Sequence, residues 1–286
     1  MELIETHAHL DYADFDPDRE VLLQKAAEAG VRTILSIGTR GETSRRAVDL
    51  AQKYANVFAV VGWHPTDCRE APDDVLTPLR ELASHPKVAA IGETGLDYYR
   101  LPSQEQAPSP GADMGVITGY GMDQVEADLK DALYKSKQEL IFRQQLDLAV
   151  ERGLNVVVHQ RSAFEDCLSI MAEYQGRVRG VWHCFVDAPD RAQRVIGIGS
   201  LVSFTGIVTF KNAKEVLETV RAVPLEHMMV ETDCPYLAPV PFRGKRCEPA
   251  HTRLVAEKIA EIKGVSLDEV ARVTTQNARE FFQLRL

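Results

Sequence analysis

The stretch "IETHAHL", residues 4–10, places His7 and His9 directly after an apolar run that is typical of a β-strand. In an extended strand, residues two apart point to the same side, so both imidazoles project together while Ala8 turns away. Two neutral imidazoles side by side are able to bind a divalent cation. Two unrelated polar residues in a loop would give the same pattern, so the rest of the chain has to decide between these interpretations.

Strand-like apolar runs recur along the chain with helix-sized segments between most of them. The strand candidates are residues 3–7, 32–38, 57–63, 87–93, 155–159, 179–183, 199–204 and 227–232, and helical candidates include 18–30, 42–54, 163–175 and 213–221. Several strands are continuously apolar, which is typical of strands that are covered on both faces. Eight strands alternating with helices in one chain of this length predict a (β/α)8 TIM barrel.

A doubly wound open sheet is the main alternative to the barrel. It usually contains fewer strands, and this chain has no glycine-rich dinucleotide-binding motif after its first strand. Residues 249–286 are long enough for extra C-terminal helices, and Ser266 with Glu269 three residues later resembles the start of one of them. We therefore predict one barrel domain that spans residues 1–286.

One interval breaks the regular spacing of the strands, because the excess residues 101–137 follow strand four. Their first half is rich in Pro, Gly and Ser and predicts a loop, whereas Val125, Leu129 and Leu133 recur at helical spacing in the second half. A tolerated surface insertion is the simpler interpretation, since long insertions cost little stability. A lid or substrate-contacting arm is the alternative, because the segment leaves the barrel at the same end as Glu93.

Composition narrows the class of protein. The formal net charge of −9 argues against a protein that coats nucleic acid through a broad basic surface, although bound metal ions would supply positive charge locally. No apolar run is long enough to cross a membrane, and the N-terminus lacks the basic and apolar regions of a signal peptide. The five cysteines include no C-x-x-C pair, which predicts reduced thiols and a cytoplasmic location. A monomer is compatible with the sequence, which does not define the oligomeric state.

Polar and charged residues, several of them potential metal ligands, follow most of the predicted strands. They are His7 and His9 after the first strand, His64 after the third, Glu93 after the fourth, His159 and Arg161 after the fifth, His183 after the sixth, and Glu231 and Asp233 after the eighth. The C-terminal ends of barrel strands open onto one face, so these distant residues are expected to converge there. Imidazole and carboxylate without thiolate suit Zn, Mn, Fe or Mg.

The number of candidate ligands predicts more than one ion. The six candidates are His7, His9, Glu93, His159, His183 and Asp233. They exceed the needs of one tetrahedral ion, whereas two divalent ions would use all six if one carboxylate bridges the pair. Glu93 is suited to bridging because each of its two oxygens is able to face an ion.

The motifs H-x-H, G-E-x-G-L-D, H-x-R, H-C-F and E-T-D-x-P-Y-L together resemble the TatD-type metal-dependent deoxyribonucleases, within the amidohydrolase-like barrels. "PVPFRGKRCEP" (239–249) and "NAREFF" (277–282) extend the resemblance over nearly the whole chain. It implies that one ion is held by His7, His9, Glu93 and Asp233, and the other by Glu93, His159 and His183. The family pattern has Asn where this chain has Cys247.

The roles of Asp233, Arg161 and His64 each have two interpretations. Asp233 either binds an ion and also accepts the proton of the attacking water, or acts as a ligand only. Arg161 faces the same side as His159, so its guanidinium either holds phosphate oxygens in a fork or pairs with an acid such as Glu231. His64 either contacts the substrate or orients a metal ligand.

Arg243, Lys245 and Arg246 form a short basic run just after the last strand. Such runs are usually solvated loops, but beside a phosphodiesterase site they would bind the substrate backbone locally. A short strand end needs few phosphate contacts, so this role is compatible with the negative net charge. The arrangement favours processing of DNA ends over tight duplex binding.

The resemblance predicts a two-metal deoxyribonuclease that cleaves phosphodiester bonds, acting from a 3′ end or on single-stranded DNA. The alternative is an amidohydrolase-like enzyme that cleaves an amide, ester or lactone of a small molecule. Many members of that wider superfamily bridge their metals with a carbamylated Lys, and Glu93 at the strand-four position favours the nuclease. A non-catalytic binding protein is a third hypothesis, but a decayed site would have lost ligands and this chain has them all.

Overall fold

The computed structural model describes residues 1–106 and 122–284, and within them it confirms the predicted TIM barrel. The parallel strands are β1 Leu3–Ala8, β2 Val31–Ile37, β3 Val57–Val61, β4 Val88–Asp97, β5 Asn155–Arg161, β6 Gly180–Trp182, β7 Leu201–Phe204 and β8 Met228–Val230. They pair in sequence order from β1 to β8. The barrel closes beyond β8, where the backbone N–H groups of Asp233 and His9 donate to His7 and Cys234, each at 2.9 Å.

A helix follows every strand in the part of the chain that the structure describes. The helices are α1 Arg19–Glu28, α2 Gly41–Lys53, α3 Leu76–Leu82, α4 Met122–Arg152, α5 Phe164–Glu173, α6 Pro189–Gly197, α7 Lys214–Ala222, α8 Thr252–Lys263 and α9 Leu267–Phe281. The predicted cap is present, because the Ser266 hydroxyl accepts the N–H of Glu269 at 3.1 Å. Of the two predicted C-terminal helices, α8 occupies the eighth position of the barrel, so α9 alone is additional. None of these helices combines the length and apolarity needed to cross a bilayer.

Two layers of buried apolar side chains stabilise the barrel. The outer layer lies between the strands and the surrounding helices, whereas the inner layer fills the barrel with side chains such as Leu35, Val157 and Met229. Phe281 and Phe282 at the end of α9 belong to this inner layer. The amide of Asn155, at the start of β5, donates to the Phe281 carbonyl at 2.7 Å, so α9 covers the end where the strands begin. The candidate metal ligands therefore lie at the opposite end of the barrel, where the strands end.

The segment predicted as an insertion, 101–137, is only partly an insertion. Residues 107–121 lie outside the described residues, and the helical second half belongs to α4, which continues without a break to Arg152. The predicted apolar spacing is helical, but it does not mark a buried face. Val125, Leu129 and Leu133 are 67%, 57% and 62% exposed.

The other face of α4 contacts the barrel through polar side chains. The side-chain amide of Gln138 donates to the Asp97 carbonyl at 2.9 Å, and its side-chain oxygen accepts the Asp97 N–H at 2.8 Å. The Lys137 ammonium donates to the Ala71 carbonyl at 3.2 Å. This part of α4 is therefore the fourth barrel helix, and it fixes the end of β4 next to the candidate ligands.

Two glycines in "GETGLD" allow β4 and β5 to approach closely. Gly92 and Gly95 have φ values of 129° and 143°, which side-chain-bearing residues rarely adopt. A Cβ atom on Gly95 would lie 2.0 Å from the backbone oxygen of His159. The glycines thus permit a local backbone path that places Glu93 and Asp97 against His159.

Candidate metal centre

The structure brings all six predicted metal ligands into one cluster at the C-terminal end of the barrel. They are contributed by the ends of β1, β4, β5 and β6 and by the segment after β8. The side chains of His7, Glu93 and His183 are 0%, 4% and 6% exposed. Such burial of polar side chains is unfavourable unless they bind one another, an ion or water.

Glu93 lies at the centre of this cluster, and its two oxygens face different groups of histidines. Oε1 lies 2.8 Å from both His159 Nδ1 and His183 Nε2. Oε2 lies 3.4 Å from His7 Nε2 and 3.9 Å from His9 Nε2. This is the arrangement that a carboxylate shared by two cations requires.

The first group joins His7 and His9 to Asp233. Oδ1 of Asp233 lies 3.3 Å from His9 Nε2 and 3.8 Å from His7 Nε2. His9 Nδ1 is 3.1 Å from the carbonyl oxygen of Ile37, so the proton of the neutral ring belongs on Nδ1 and the Nε2 lone pair faces the group. The ligand atoms of the three residues lie within 4.8 Å of one another, close enough to hold one ion.

The second group contains one more imidazole than the sequence predicts. His64 Nε2 lies 3.2 Å from Glu93 Oε1 and 3.1 Å from His159 Nδ1. The ligand atoms of His64, Glu93 and His159 lie within 4.8 Å of one another. His64 was predicted to contact the substrate or to orient a ligand, and the structure places it within the group itself.

Asp97 is a functional candidate that the sequence analysis missed. Its Oδ2 lies 3.1 Å from His159 Nε2, and its Oδ1 accepts the N–H of Tyr99 at 2.9 Å. A carboxylate on one ring nitrogen orients the other toward a metal, so Asp97 directs His159 Nδ1 at Glu93. The available signal was its position on the same strand as Glu93, within "GETGLD".

Buried nitrogen atoms without hydrogen-bond partners indicate that the cluster is suited to cations. Both ring nitrogens of His7 and Nδ1 of His183 are buried and lack such a partner among the described residues. The two rings stack with centroids 4.1 Å apart. Orphaned buried nitrogens are rare in folded proteins, and a divalent cation would use such lone pairs. The residues present therefore fit divalent metal ions.

The two central carboxylates remain ionised despite their burial. Burial alone would raise the pKa of Glu93, but the neighbouring His183 and His64 lower it well below its usual value. Burial likewise opposes ionisation of Asp233, and a hydrogen bond from His9 outweighs this and lowers its pKa. Both carboxylates are therefore anionic near neutral pH and attract positive charge.

Protons supply part of that positive charge when no metal is bound. Burial would lower the pKa of His9 and His159, but Asp233 raises the pKa of His9 to about 9. Asp97 and Glu93 together raise the pKa of His159 to about 9. His7 differs, because burial and the nearby His183 lower its pKa to about 4. Cations and protons therefore compete for the same nitrogens.

This competition predicts that the apparent metal affinity rises with pH. His9 and His159 are protonated below about pH 9 in metal-free protein, so binding must release their protons. Each released proton raises the apparent affinity by about tenfold per pH unit. Calorimetric titration with Mn²⁺ between pH 6.5 and 8, in buffers of different ionisation enthalpy, measures both quantities. A metal affinity that does not change over this pH range would contradict the assignment of His9 and His159 as ligands. The control is His85→Gln, which should behave like wild type because His85 contacts Gln52 outside the cluster.

Arg161 does not pair with Glu231. Its guanidinium carbon lies 3.5 Å from the centre of the Tyr99 ring, and it forms no ion pair with any acid of the described residues. Glu231 instead accepts the Cys184 N–H and the Ser203 hydroxyl, each at 2.6 Å. The proposed salt bridge between Arg161 and Glu231 is therefore wrong, and the guanidinium donors remain available to a phosphate.

The basic run after β8 is bound largely to the protein itself. Arg246 pairs with Asp18 and donates to the Asp14 carbonyl at 2.6 Å, so a substrate contact would have to break these bonds. The guanidinium carbon of Arg243 lies 4.0 Å from the centre of the Phe210 ring. Substrate binding by Arg243 and Lys245 stays a prediction, whereas the position of Arg246 favours a role in anchoring this loop.

A cavity of about 560 Å³ opens above the candidate ligands. His9, His64, Glu93, His159, His183 and Asp233 form its floor, and Tyr12, Arg40, Asp67 and Tyr236 are among the residues of its wall. Arg40 is neutralised by Asp67 at 2.5 Å and Glu70 at 3.2 Å. These wall residues were not predicted from the sequence, although Tyr236 lies in the motif E-T-D-x-P-Y-L.

A (β/α)8 barrel with buried histidines and carboxylates at the C-terminal ends of its strands defines a metal-dependent hydrolase. The family model described as "TatD related DNase" matches residues 4–283, and the chain belongs to this family. The resemblance predicted from the motifs is thereby confirmed.

Relatives and solved structures agree with this assignment. The chain is 36% identical over 283 residues to the uncharacterized metal-dependent hydrolase YabD of Bacillus subtilis, covering 99% of each chain. It is 30% identical to the 3′-5′ ssDNA/RNA exonuclease TatD of Erwinia amylovora, covering 96% of this chain and 98% of the relative. The crystal structure of YJJV, a TatD homolog from Escherichia coli K12, superposes with a TM-score of 0.83 at 26% identity, covering 99% and 98%.

Proposed function

We propose that the protein is a two-metal deoxyribonuclease that hydrolyses phosphodiester bonds at a 3′ end or in single-stranded DNA. The observation that carries the proposal is the orientation of Glu93, whose oxygens face two separate groups of ligand atoms. Further support comes from the Erwinia amylovora relative, which is named a 3′-5′ ssDNA/RNA exonuclease.

Two sets of residues would hold the ions. One set would be His7, His9, Asp233 and Glu93. The other would be Glu93, His64, His159 and His183, whose ring nitrogens all lie near Glu93 Oε1. When bound, a pair of divalent cations stabilises the attacking and leaving oxygens of a phosphodiester and lowers the pKa of a water molecule. Zn, Mg and Mn are all compatible with imidazole and carboxylate ligands.

The protein's own residues position the substrate and move the proton. Asp233 is ionised and 15% exposed at the floor of the cavity, so its carboxylate is placed to accept a proton from the attacking water. Asp97 keeps His159 oriented through its ring nitrogen. Arg161, at the end of β5, has no acidic partner within residues 1–106 and 122–284, so its guanidinium would be able to hold phosphate oxygens.

An assay of substrate class tests the proposal. Purified, metal-loaded protein is offered single-stranded and duplex DNA labelled at either end, together with a panel of esters, amides and lactones. We expect release of nucleotides from single-stranded DNA and complete loss of activity with a chelator. Hydrolysis of the small esters, amides or lactones without any cleavage of DNA would contradict the proposal and favour the amidohydrolase alternative.

A further inference from the structure

Tyr236 is an exposed aromatic residue at the edge of the metal centre. Its side chain is among the most exposed apolar groups of the described residues, at 53%, although it lines the cavity above the ligands. Its backbone N–H donates to the Asp233 carbonyl at 2.9 Å, which ties it to a candidate metal ligand. A large aromatic group in this position exposes apolar surface to water unless a substrate covers it.

The ring of Tyr236 is held in place by a second tyrosine. Tyr12 stacks on His9 with centroids 4.8 Å apart and an interplanar angle of 22°. Tyr236 packs edge-on against Tyr12, with centroids 6.3 Å apart and an angle of 80°. Tyr236 also packs edge-on near His9, with centroids 6.5 Å apart and an angle of 69°. These contacts still leave Tyr236 half exposed beside the cavity that it lines.

The opposite side of the barrel mouth carries an aromatic residue with an unpaired cation. Two strands separate β4 from β1, and two separate β5 from β8, so the two pairs lie on opposite sides of the barrel. There Tyr99 is 48% exposed, and the guanidinium carbon of Arg161 lies 3.5 Å from the centre of its ring, without an acidic partner among the described residues. Tyr12 and Tyr236 thus follow β1 and β8, whereas Tyr99 and Arg161 lie at the ends of β4 and β5, on the other side of the barrel mouth.

Exposed aromatic faces and free cations along one path are the features with which proteins bind single-stranded nucleic acid. Bases stack on the aromatic rings, and arginine donors bind the backbone phosphates. Bases inside a duplex are already stacked between their neighbours and are unable to offer a face to such a ring.

We propose that Tyr236, supported by Tyr12, is the stacking platform for an unpaired base of the substrate next to the metal centre. Arg161 on Tyr99 holds the backbone at the opposite side of the mouth. The inference rests on the proposed nuclease function and adds the residues that select unpaired substrates. Tyr236 therefore makes substrate binding depend on a base as well as on the phosphodiester.

The test compares base-bearing and abasic substrates on matched variants of the metal-loaded protein. Binding of a fluorescent, hydrolysis-resistant phosphorothioate oligothymidylate is measured by anisotropy, alongside an analogue whose terminal positions lack bases. We expect Tyr236→Leu to weaken binding of the base-bearing strand by about 10-fold and to leave the abasic strand within about twofold. Tyr236→Phe keeps the ring and should bind like wild type, as should Val150→Ala on α4. Metal content should be equal in all four proteins.

The outcomes separate this inference from the proposed reaction. If Tyr236→Leu weakens both strands equally, or neither, the platform is rejected while DNA cleavage by wild type still supports the nuclease. If wild type cleaves only small esters yet binds the oligonucleotide in a base-dependent way through Tyr236, the platform stands and the reaction is rejected. An absence of oligonucleotide binding by wild type rejects the platform.

Discussion

Glu93→Gln is expected to reduce kcat on DNA by about 10³-fold or more and to lower the bound metal in parallel. The glutamine side chain is nearly identical in shape, but it is neutral and carries an NH2 group, which does not bind cations, in place of one carboxylate oxygen. Since Oε1 and Oε2 of Glu93 face different ligand groups, the substitution weakens both of them. Metal analysis after gel filtration and single-turnover hydrolysis provide the two measurements.

The control for this variant is Glu257→Gln. Glu257 forms an exposed ion pair with Arg253 on α8, and exposed pairs contribute little to stability. Circular dichroism and thermal unfolding should show that both variants are folded. A Glu93→Gln protein that retains wild-type turnover and metal content would show that Glu93 does not bridge the ions.

Asp233→Asn is expected to lower kcat by about 10²- to 10⁴-fold, the range for loss of a positioned general base. Asparagine keeps an oxygen that is able to contact a cation but cannot accept a proton from water. If Asp233 acts as both ligand and base, kcat stays low at saturating metal and the acidic limb of the pH–rate profile disappears. If it is a ligand only, excess metal restores the rate.

This comparison decides between the two interpretations that the sequence left open for Asp233. The matched control is Asp268→Asn, because Asp268 is 83% exposed near the N-terminus and remote from the cluster. A variant at Asp233 with normal kcat and normal metal affinity would exclude both roles. The metal content must be measured on the same samples as the rate.

The barrel and the six ligands could be predicted because both depend on local pattern combined with one topological rule. Apolar runs such as "NVVVH" define β5, and parallel strands of a barrel end on one face. His7 and Asp233 therefore lie side by side, although 226 positions separate them in the chain. The helix start at Ser266 was also predictable, since capping depends on residues close in sequence.

Contacts between loops could not be predicted, because nothing local specifies them. The position of Arg161 over Tyr99 depends on how β4 and β5 align, and the pairing of Arg246 with Asp18 depends on two loops that meet above the barrel. Asp97 was missed for a different reason. Its role depends on which nitrogen of His159 faces Glu93, and this is fixed only by the side-chain orientation.

Anomalous diffraction from crystals of wild-type protein grown with Mn²⁺ would show whether two ions share the Glu93 carboxylate. We expect two Mn²⁺ peaks about 3.5–4 Å apart, one on each side of the Glu93 carboxylate. The peak beside Oε2 should contact His7, His9 and Asp233, and the peak beside Oε1 should contact His159 and His183. A single peak that leaves one of these groups without metal, or peaks that do not contact Glu93, would contradict this expectation.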